Sequence, residues 1–305
     1  MNEVSIDPVD VNAAIPRSST RFLGDIAQKF FGQRAGAVGL TIVAVLVLSA
    51  IFGPLFSHYS PIAIDHGTLG HPQAPSLAHL LGTDMLGRDE LTRLLYGART
   101  SLFVGLTAML IGISIGTIYG AISAAAGGIV DTLMMRFVDA LLSFPTFFLI
   151  LTVEALKSDF SLPIVVAIIG LLSWMGVARL VRAEVLTLRE RDFVSAAIAL
   201  GASSQRLLFR HLIPNALGPV LVAASFAVGD NILTEASLSY LGLGVQVPTP
   251  SWGNMLQDAL EPAVRNDWWL VISPGLCIVI TLLGFSLLGE RIRTLLDPRL
   301  AQERR

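Results

Sequence analysis

Residues 182–215 read RAEVLTLRERDFVSAAIALGASSQRLLFRHLIPN, the one long polar interruption in a chain otherwise dominated by apolar runs. Asp192 is placed to cap a short helix through Phe193, Val194, Ala196, Ala197 and Leu200, and Gly201 to end it as the residue just past the C-cap. Ser203 or Ser204 then starts a second helix, which Pro214 closes. The product is a pair of short helices joined at a glycine, with small side chains on one side and six arginines in or near it. Such an element suits a groove on a partner and can be pushed as a rigid lever.

The rest of the chain places this element at a membrane surface. Of 305 residues, 53% are hydrophobic and 14% charged, with a mean hydropathy of +0.68. An ordinary soluble domain carries about 25% charged residues, so that class is excluded. Uncharged runs predict six spans, at about 35–56, 101–126, 131–155, 160–181, 212–235 and 268–289, since roughly 20 apolar residues cross a bilayer. The third is the least regular, because Asp131, Arg136 and Asp139 precede its uncharged part. The polar tail and amphipathic stretch of residues 1–34 suit a membrane surface, and residues 57–100, rich in Pro, Gly and His at their start, read as an external loop. Glu154, Lys157 and Asp159 mark a short external turn, and Gly127–Gly128 an internal one. Gly112, Gly116 and Gly120 recur at four-residue spacing, where another helix can approach closely. Trp268 and Trp269 suit the interface at the start of the last span. With both termini on one side, 16 Lys and Arg fall on that side and 5 on the other. The positive-inside rule makes the richer side, with the 183–213 loop, cytoplasmic. The fold class is therefore an all-α polytopic membrane protein with six transmembrane helices.

SAAIALGASSQRLLFRHLIPN, residues 195–215, resembles the EAA loop of ATP-binding-cassette importer permeases, which docks each permease onto its ATPase. The likeness rests on Ala196, Ala197, Gly201, Ile213 and Pro214. Ser195 departs from it, standing where the family has Glu. That Glu would complete a capping box begun at Asp192, so its loss weakens the first turn slightly. His211 departs from the general consensus but, with Arg210, Pro214 and Asn215, resembles the peptide-permease branch. The resemblance makes Asp192, Ser195, Ala196, Ala197, Gly201, Arg206, Arg210, His211 and Pro214 the candidate docking residues.

A longer resemblance lies at Leu81–Asp89, LGTDMLGRD, continuing through Gly97, Ala98, Arg99, Ser101 and Leu102. It is similar to the start of the second membrane helix in the dipeptide, oligopeptide and nickel permease branch. An interfacial helix capped at Thr83 and Asp84 and an outer gate of Asp84, Arg88 and Asp89 are both compatible with it. Residues 130–145, VDTLMMRFVDALLSFP, and 231–255, NILTEASLSYLGLGVQVPTPSWGNM, resemble the same branch. The second carries Gly242, Gly244, Pro248 and Pro250 and reads as a re-entrant or external segment. Carboxylates within spans are candidates for a transport path: Asp230 and Glu235 either line it or sit at helix ends in water, and Asp139 either faces it or pairs with Arg136, which the three-residue spacing favours.

Covering roughly Phe30 to Leu300, the resemblance is to the second of two permease subunits in dipeptide and oligopeptide importers, and it implies the type I importer permease fold in the cytoplasmic membrane of a prokaryote. Implied partners are a second homologous permease subunit, two ATP-binding subunits, an external substrate-binding protein, membrane lipid and a peptide substrate, with no nucleic acid. A permease for nickel or another small solute is the alternative within the branch; a non-ABC channel or carrier is the alternative outside it. The chain has no Gly-Lys pair and hence no Walker A loop, so ATP is expected only on partner subunits, with no cofactor or catalytic residue here. His58, His66, His71 and His79 share a loop without metal-ligand spacing, and Cys277 stands alone in an apolar run, so neither a metal site nor a disulfide is expected.

Overall fold

The computed structural model describes residues 34–156, 161–260 and 267–296, and among them every regular element is helical. The expected surface helix before Arg34, the turn at Lys157–Asp159 and the tail after Leu296 lie outside the described residues. Five helices are long and apolar enough to cross a bilayer, and a sixth crossing forms if one bent pair counts as a single span.

Helix α1, Arg34–Phe56, leads. Pro54 lacks an N–H for the Ala50 carbonyl one turn earlier, and Arg99 supplies the missing donor: its Nε donates to the Ala50 carbonyl at 3.2 Å and its Nη2 to that of Ile51 at 3.2 Å. Helix α2, Glu90–Ala126, therefore begins well before the expected boundary at 101, and the loop after α1 ends at Asp89. Its N-cap is Asp89, whose carboxylate accepts from the Thr92 N–H, and not Thr83 or Asp84. Residues 90–100, within the expected 57–100 loop, thus belong to this helix, where Glu90 and Arg93 are buried and Arg99 is bonded to α1.

Gly127 and Gly128 turn the chain with φ of 63° and 54° into α3, Gly128–Leu142. The expected single span over 131–155 is broken: α3 and α4, Thr146–Ala155, are bent by 76° about Ser143–Pro145, because Pro145 cannot continue the hydrogen-bond ladder. Helices α5, Leu162–Leu172, and α6, Trp174–Arg189, make one crossing of 28 residues, longer than the expected 160–181. Here the four-residue glycine spacing acts. A Cβ on Gly112 would strike Ser173, one on Gly116 Val177 and the Trp174 carbonyl, and one on Gly120 the Ala178 carbonyl, so α2 and α6 press together backbone to backbone.

Short helices α7, Asp192–Ala199, and α8, Ser204–Leu207, follow. Pro214 does not close the second. A π-turn over Leu208–Leu212, in which the Ile213 N–H donates to the Leu208 carbonyl, widens the coil so that it passes Pro214 and continues as α9, Ile213–Tyr240. One helix thus runs for 37 residues, Ser204–Tyr240, where the sequence predicts a span of 212–235. A turn segment then leads to α10, Trp252–Asp258, so only the latter part of the 231–255 stretch leaves the long helix. Helix α11, Trp268–Leu296, passes the expected end at 289. Its two tryptophans divide: Trp268 faces outward, whereas Trp269 is buried and its Nε1 donates to the Thr83 carbonyl at 3.3 Å.

Glycines also seat α1 on α11, with Gly39 against Leu287 and Gly284 against Ile42. Two polar ends result. The 57–89 loop, α10 and the start of α11 share one; the ends of α2 and α6, α7, α8 and the π-turn share the other.

Candidate functional site

The 190–214 end is built by local caps. Arg191, in extended conformation, takes the N-cap position of α7 without a side-chain bond, so Asp192 is the first helical residue and not the expected cap; it still places a carboxylate in the first turn. Gly201 closes the helix as expected, at φ 81°. The Gly201 N–H donates to the Ile198 carbonyl at 2.9 Å and the Ala202 N–H to that of Ala197 at 3.0 Å, the paired bonds of a Schellman ending. Ser203 caps α8, its Oγ accepting from the Arg206 N–H at 3.3 Å.

Beneath these helices Val194, Leu207, Leu208 and Leu212 pack with Val181 and Val185 of α6 and Ala121 and Ala124 of α2. Above that base nearly everything faces outward. Asp192, Ser195, Ala196, Gly201, Arg206, Arg210 and Pro214 are exposed, while Ala197 and His211 are half-buried. Phe193 and Ile198 are exposed as well, Leu200 is 90% exposed and Phe209 68%. The expected docking residues therefore share one surface with four large apolar side chains that nothing among the described residues covers.

The base is tied by charge. Arg182 of α6 grips Asp131 of α3 in a two-pronged pair, Nε to Oδ1 at 2.6 Å and Nη2 to Oδ2 at 2.6 Å, and Ser123 of α2 donates to the same Oδ1 at 2.6 Å. Arg189 donates from Nη1 to the Ala124 carbonyl in the last turn of α2 at 2.6 Å. Asp139 lies 3.8 Å from Arg179 of α6, not in a pair with Arg136, because the face of α3 that carries it is turned toward α6. Both of those groups are exposed.

At the opposite end Asp84 and Arg88 meet in a ring of four charges, three of them buried and the fourth, Asp258, half-buried. Asp84 Oδ2 accepts from Arg88 Nε at 2.6 Å and Arg93 Nη1 at 2.9 Å, while Asp258 Oδ2 accepts from Arg88 Nη2 at 3.0 Å and Arg93 Nη2 at 2.9 Å. Asp89 stands beside the ring, capping α2 with Oδ2 and accepting through Oδ1 from His79 Nδ1 at 2.9 Å. Arg93 and Asp258 carry no local sequence signal, since Asp258 is 165 residues from Arg93. Glu235 does not line a surface: it is fully buried, with Ser101 Oγ donating to Oε2 at 3.0 Å and Ser239 Oγ to Oε1 at 2.7 Å. Ser101 in turn accepts from the Trp252 N–H at 3.3 Å, which binds α2, α9 and α10 together. Asp230 is exposed, one turn and a residue before Glu235 on α9.

This helical chain, with a docking-type surface at one end, matches over residues 100–302 the family described as binding-protein-dependent transport system inner membrane component. The chain belongs to that family. Residues 21–75 of the permease match a second family, the N-terminal TM domain of oligopeptide transport permease C. The permease is 39% identical over 303 residues to the oligopeptide transport system permease protein OppC of Bacillus subtilis (strain 168), covering 96% of each chain. It is 35% identical over 287 residues to the dipeptide transport system permease protein DppC of the same organism, covering 94% of this chain and 89% of that one. To OppC of Haemophilus influenzae it is 38% identical over 275 residues, 90% of this chain and 88% of the relative. It is thus a multi-pass membrane permease of ABC-type importers rather than an ATPase itself.

Proposed function

We propose that this permease pairs with a second, homologous permease subunit to move dipeptides or oligopeptides inward across the cytoplasmic membrane of a prokaryote, driven by two separate ATP-binding subunits and fed by an external substrate-binding protein. The observation that carries the docking part of the reading is the exposed apolar and basic surface of α7, α8 and the π-turn on a tightly packed base. The peptide substrate is argued from relatives named for oligopeptide and dipeptide transport; nothing favours nickel over peptide.

In this reading the 190–214 end faces the cytoplasm, as do both termini. In support, Gly39, in the second turn of α1, packs against Leu287 near the end of α11, and Leu296 lies beside Gly218 at the base of α9, which puts the start of α1 and the end of α11 on the side of the 190–214 segment. ATP is bound by the partners and no cofactor by this chain. Asp84, Arg88 and Asp89 act at the outer face as part of the gate, and Asp139 and Asp230, both exposed, are the remaining path candidates. Transport follows a two-state cycle: closure of the ATPase dimer draws the docking helices together and the bundle above them opens outward.

Copurification of the tagged full-length permease from its native membranes, with mass spectrometry of what it retains, tests the reading. An ATP-binding subunit is expected in the retained complex and is expected to be lost when residues 191–210 are deleted. Retention of no ATPase in mild detergent, by intact protein, sinks it.

A further inference from the structure

We infer that the Asp131–Arg182 pair is a positioning joint for transport, the link by which α6 compels α3 to follow the docking helices; this rests on the docking role proposed above. Helix α3 is loosely attached everywhere else. It leaves α2 through Gly127 and Gly128, both at positive φ and with no atom near enough to meet an added Cβ, and it is broken from α4 at Ser143–Pro145. Only Asp131 and Val138 of its described residues are buried. Ile129, Val130, Leu133 and Phe137 point away from the bundle. Among the described residues its other polar ties to the bundle are a single bond, Tyr119 Oη donating to the Met134 carbonyl at 3.0 Å, and the solvent-facing Arg179–Asp139 contact.

Against that looseness the joint is stiff. A guanidinium clasping a carboxylate with two parallel bonds fixes orientation as well as distance, and Ser123 adds a third bond from α2. Arg182 lies on the helix that ends at Arg189, only two residues before α7 begins, and α6 is locked to α2 along the glycine seam. Any displacement of the docking helices therefore moves α2 and α6 as one body. The glycine hinge would let α3 lag, and a cavity of about 430 Å³ between α3 and α6, lined by Met135, Asp139, Arg179 and Arg182 among others, leaves it room to do so. The charged clasp removes that freedom.

The test compares D131N, R182Q and the double variant D131N/R182Q in the complete transporter, purified with its own partner subunits and reconstituted into vesicles. Complex yield, ATP hydrolysis and uptake of a radiolabelled alanine tripeptide per ATP are read together. Each single variant strands a partly buried charge and lowers yield; the double variant strands none and recovers it. A purely structural pair would recover transport along with yield. For a joint, the double variant assembles and hydrolyses ATP while uptake per ATP falls at least about tenfold, and R182K, which keeps the charge without the fork, lies between. Uptake per ATP within about twofold of wild type in the assembled double variant overturns the inference, as does failure of the double variant to assemble. Wild-type protein that retains no ATPase fails the docking reading instead, before any variant is made.

Discussion

The two polar ends of the bundle handle their demands in opposite ways. At the loop end, two arginines donate to two aspartates in a cross-linked set of ion pairs, Glu235 is buried under two serine hydroxyls, and Asn254 completes a capping box with Ser251 at the head of α10. Every one of those partners comes from the same chain. At the 190–214 end the base is equally packed, but its outer surface presents Phe193, Ile198, Leu200 and Phe209, which nothing among the described residues covers. Charges removed from water must be matched within the chain that buries them, whereas an uncovered apolar surface leaves its completion to another molecule. The loop end thus closes its charges within this chain while still exposing Leu77 and Leu80, whereas the 190–214 end is left open at Phe193, Ile198, Leu200 and Phe209.

The largest effect expected from breaking this contrast is at the closed end. Arg93→Ala leaves Asp84 buried beside a single arginine and is expected to lower stability by about 3–5 kcal/mol, read as a fall in the unfolding midpoint of the detergent-solubilised permease. A midpoint indistinguishable from wild type would mean that the ring does not hold that end together. At the open end, Leu200→Asp should do the reverse, leaving unfolding unchanged within about 0.5 kcal/mol. Its retention of the ATP-binding subunit should fall about tenfold, close to 1.4 kcal/mol, in a titration of subunit onto immobilised permease. Ser203→Ala is expected to cost about 1 kcal/mol of local stability by removing the α8 cap, seen as faster hydrogen exchange over residues 204–207. Asp192→Ala should matter least, about 0.3 kcal/mol, because that carboxylate only meets the first-turn dipole. If Asp192→Ala exchanged faster than Ser203→Ala, the assignment of the two helix starts would be reversed.

What short-range physics governs was legible in the sequence, and what it does not govern was not. Uncharged runs fall in the five long helices but not cleanly in the broken pair α3 and α4, and Gly201 and Ser203 announced a helix end and a helix start through backbone needs that act within a few residues. The expected external loop takes in Glu90, Arg93 and Arg99, whose partners lie on α1, α10 and α11, far along the chain. The three-residue spacing of Arg136 and Asp139 pointed to a local pair, but α6 brought Arg179 to the same face. Arg182 and Asp131 are 51 residues apart, and no spacing rule joins them. Pro214 read as a stop because a widened turn is set by the geometry of five consecutive residues and has no compositional mark.

That widened turn alters the mechanics of the molecule. Because the coil survives Pro214, Ser204 and Tyr240 are opposite tips of one rod of 37 residues, about 55 Å at 1.5 Å per residue. Pivoted at one tip, a tilt of only about 5° sweeps the other through roughly 5 Å, about one helical pitch. A nudge too small to disturb the packing beneath α8 is therefore magnified, on arrival near Tyr240, into a shift comparable to the width of a side chain.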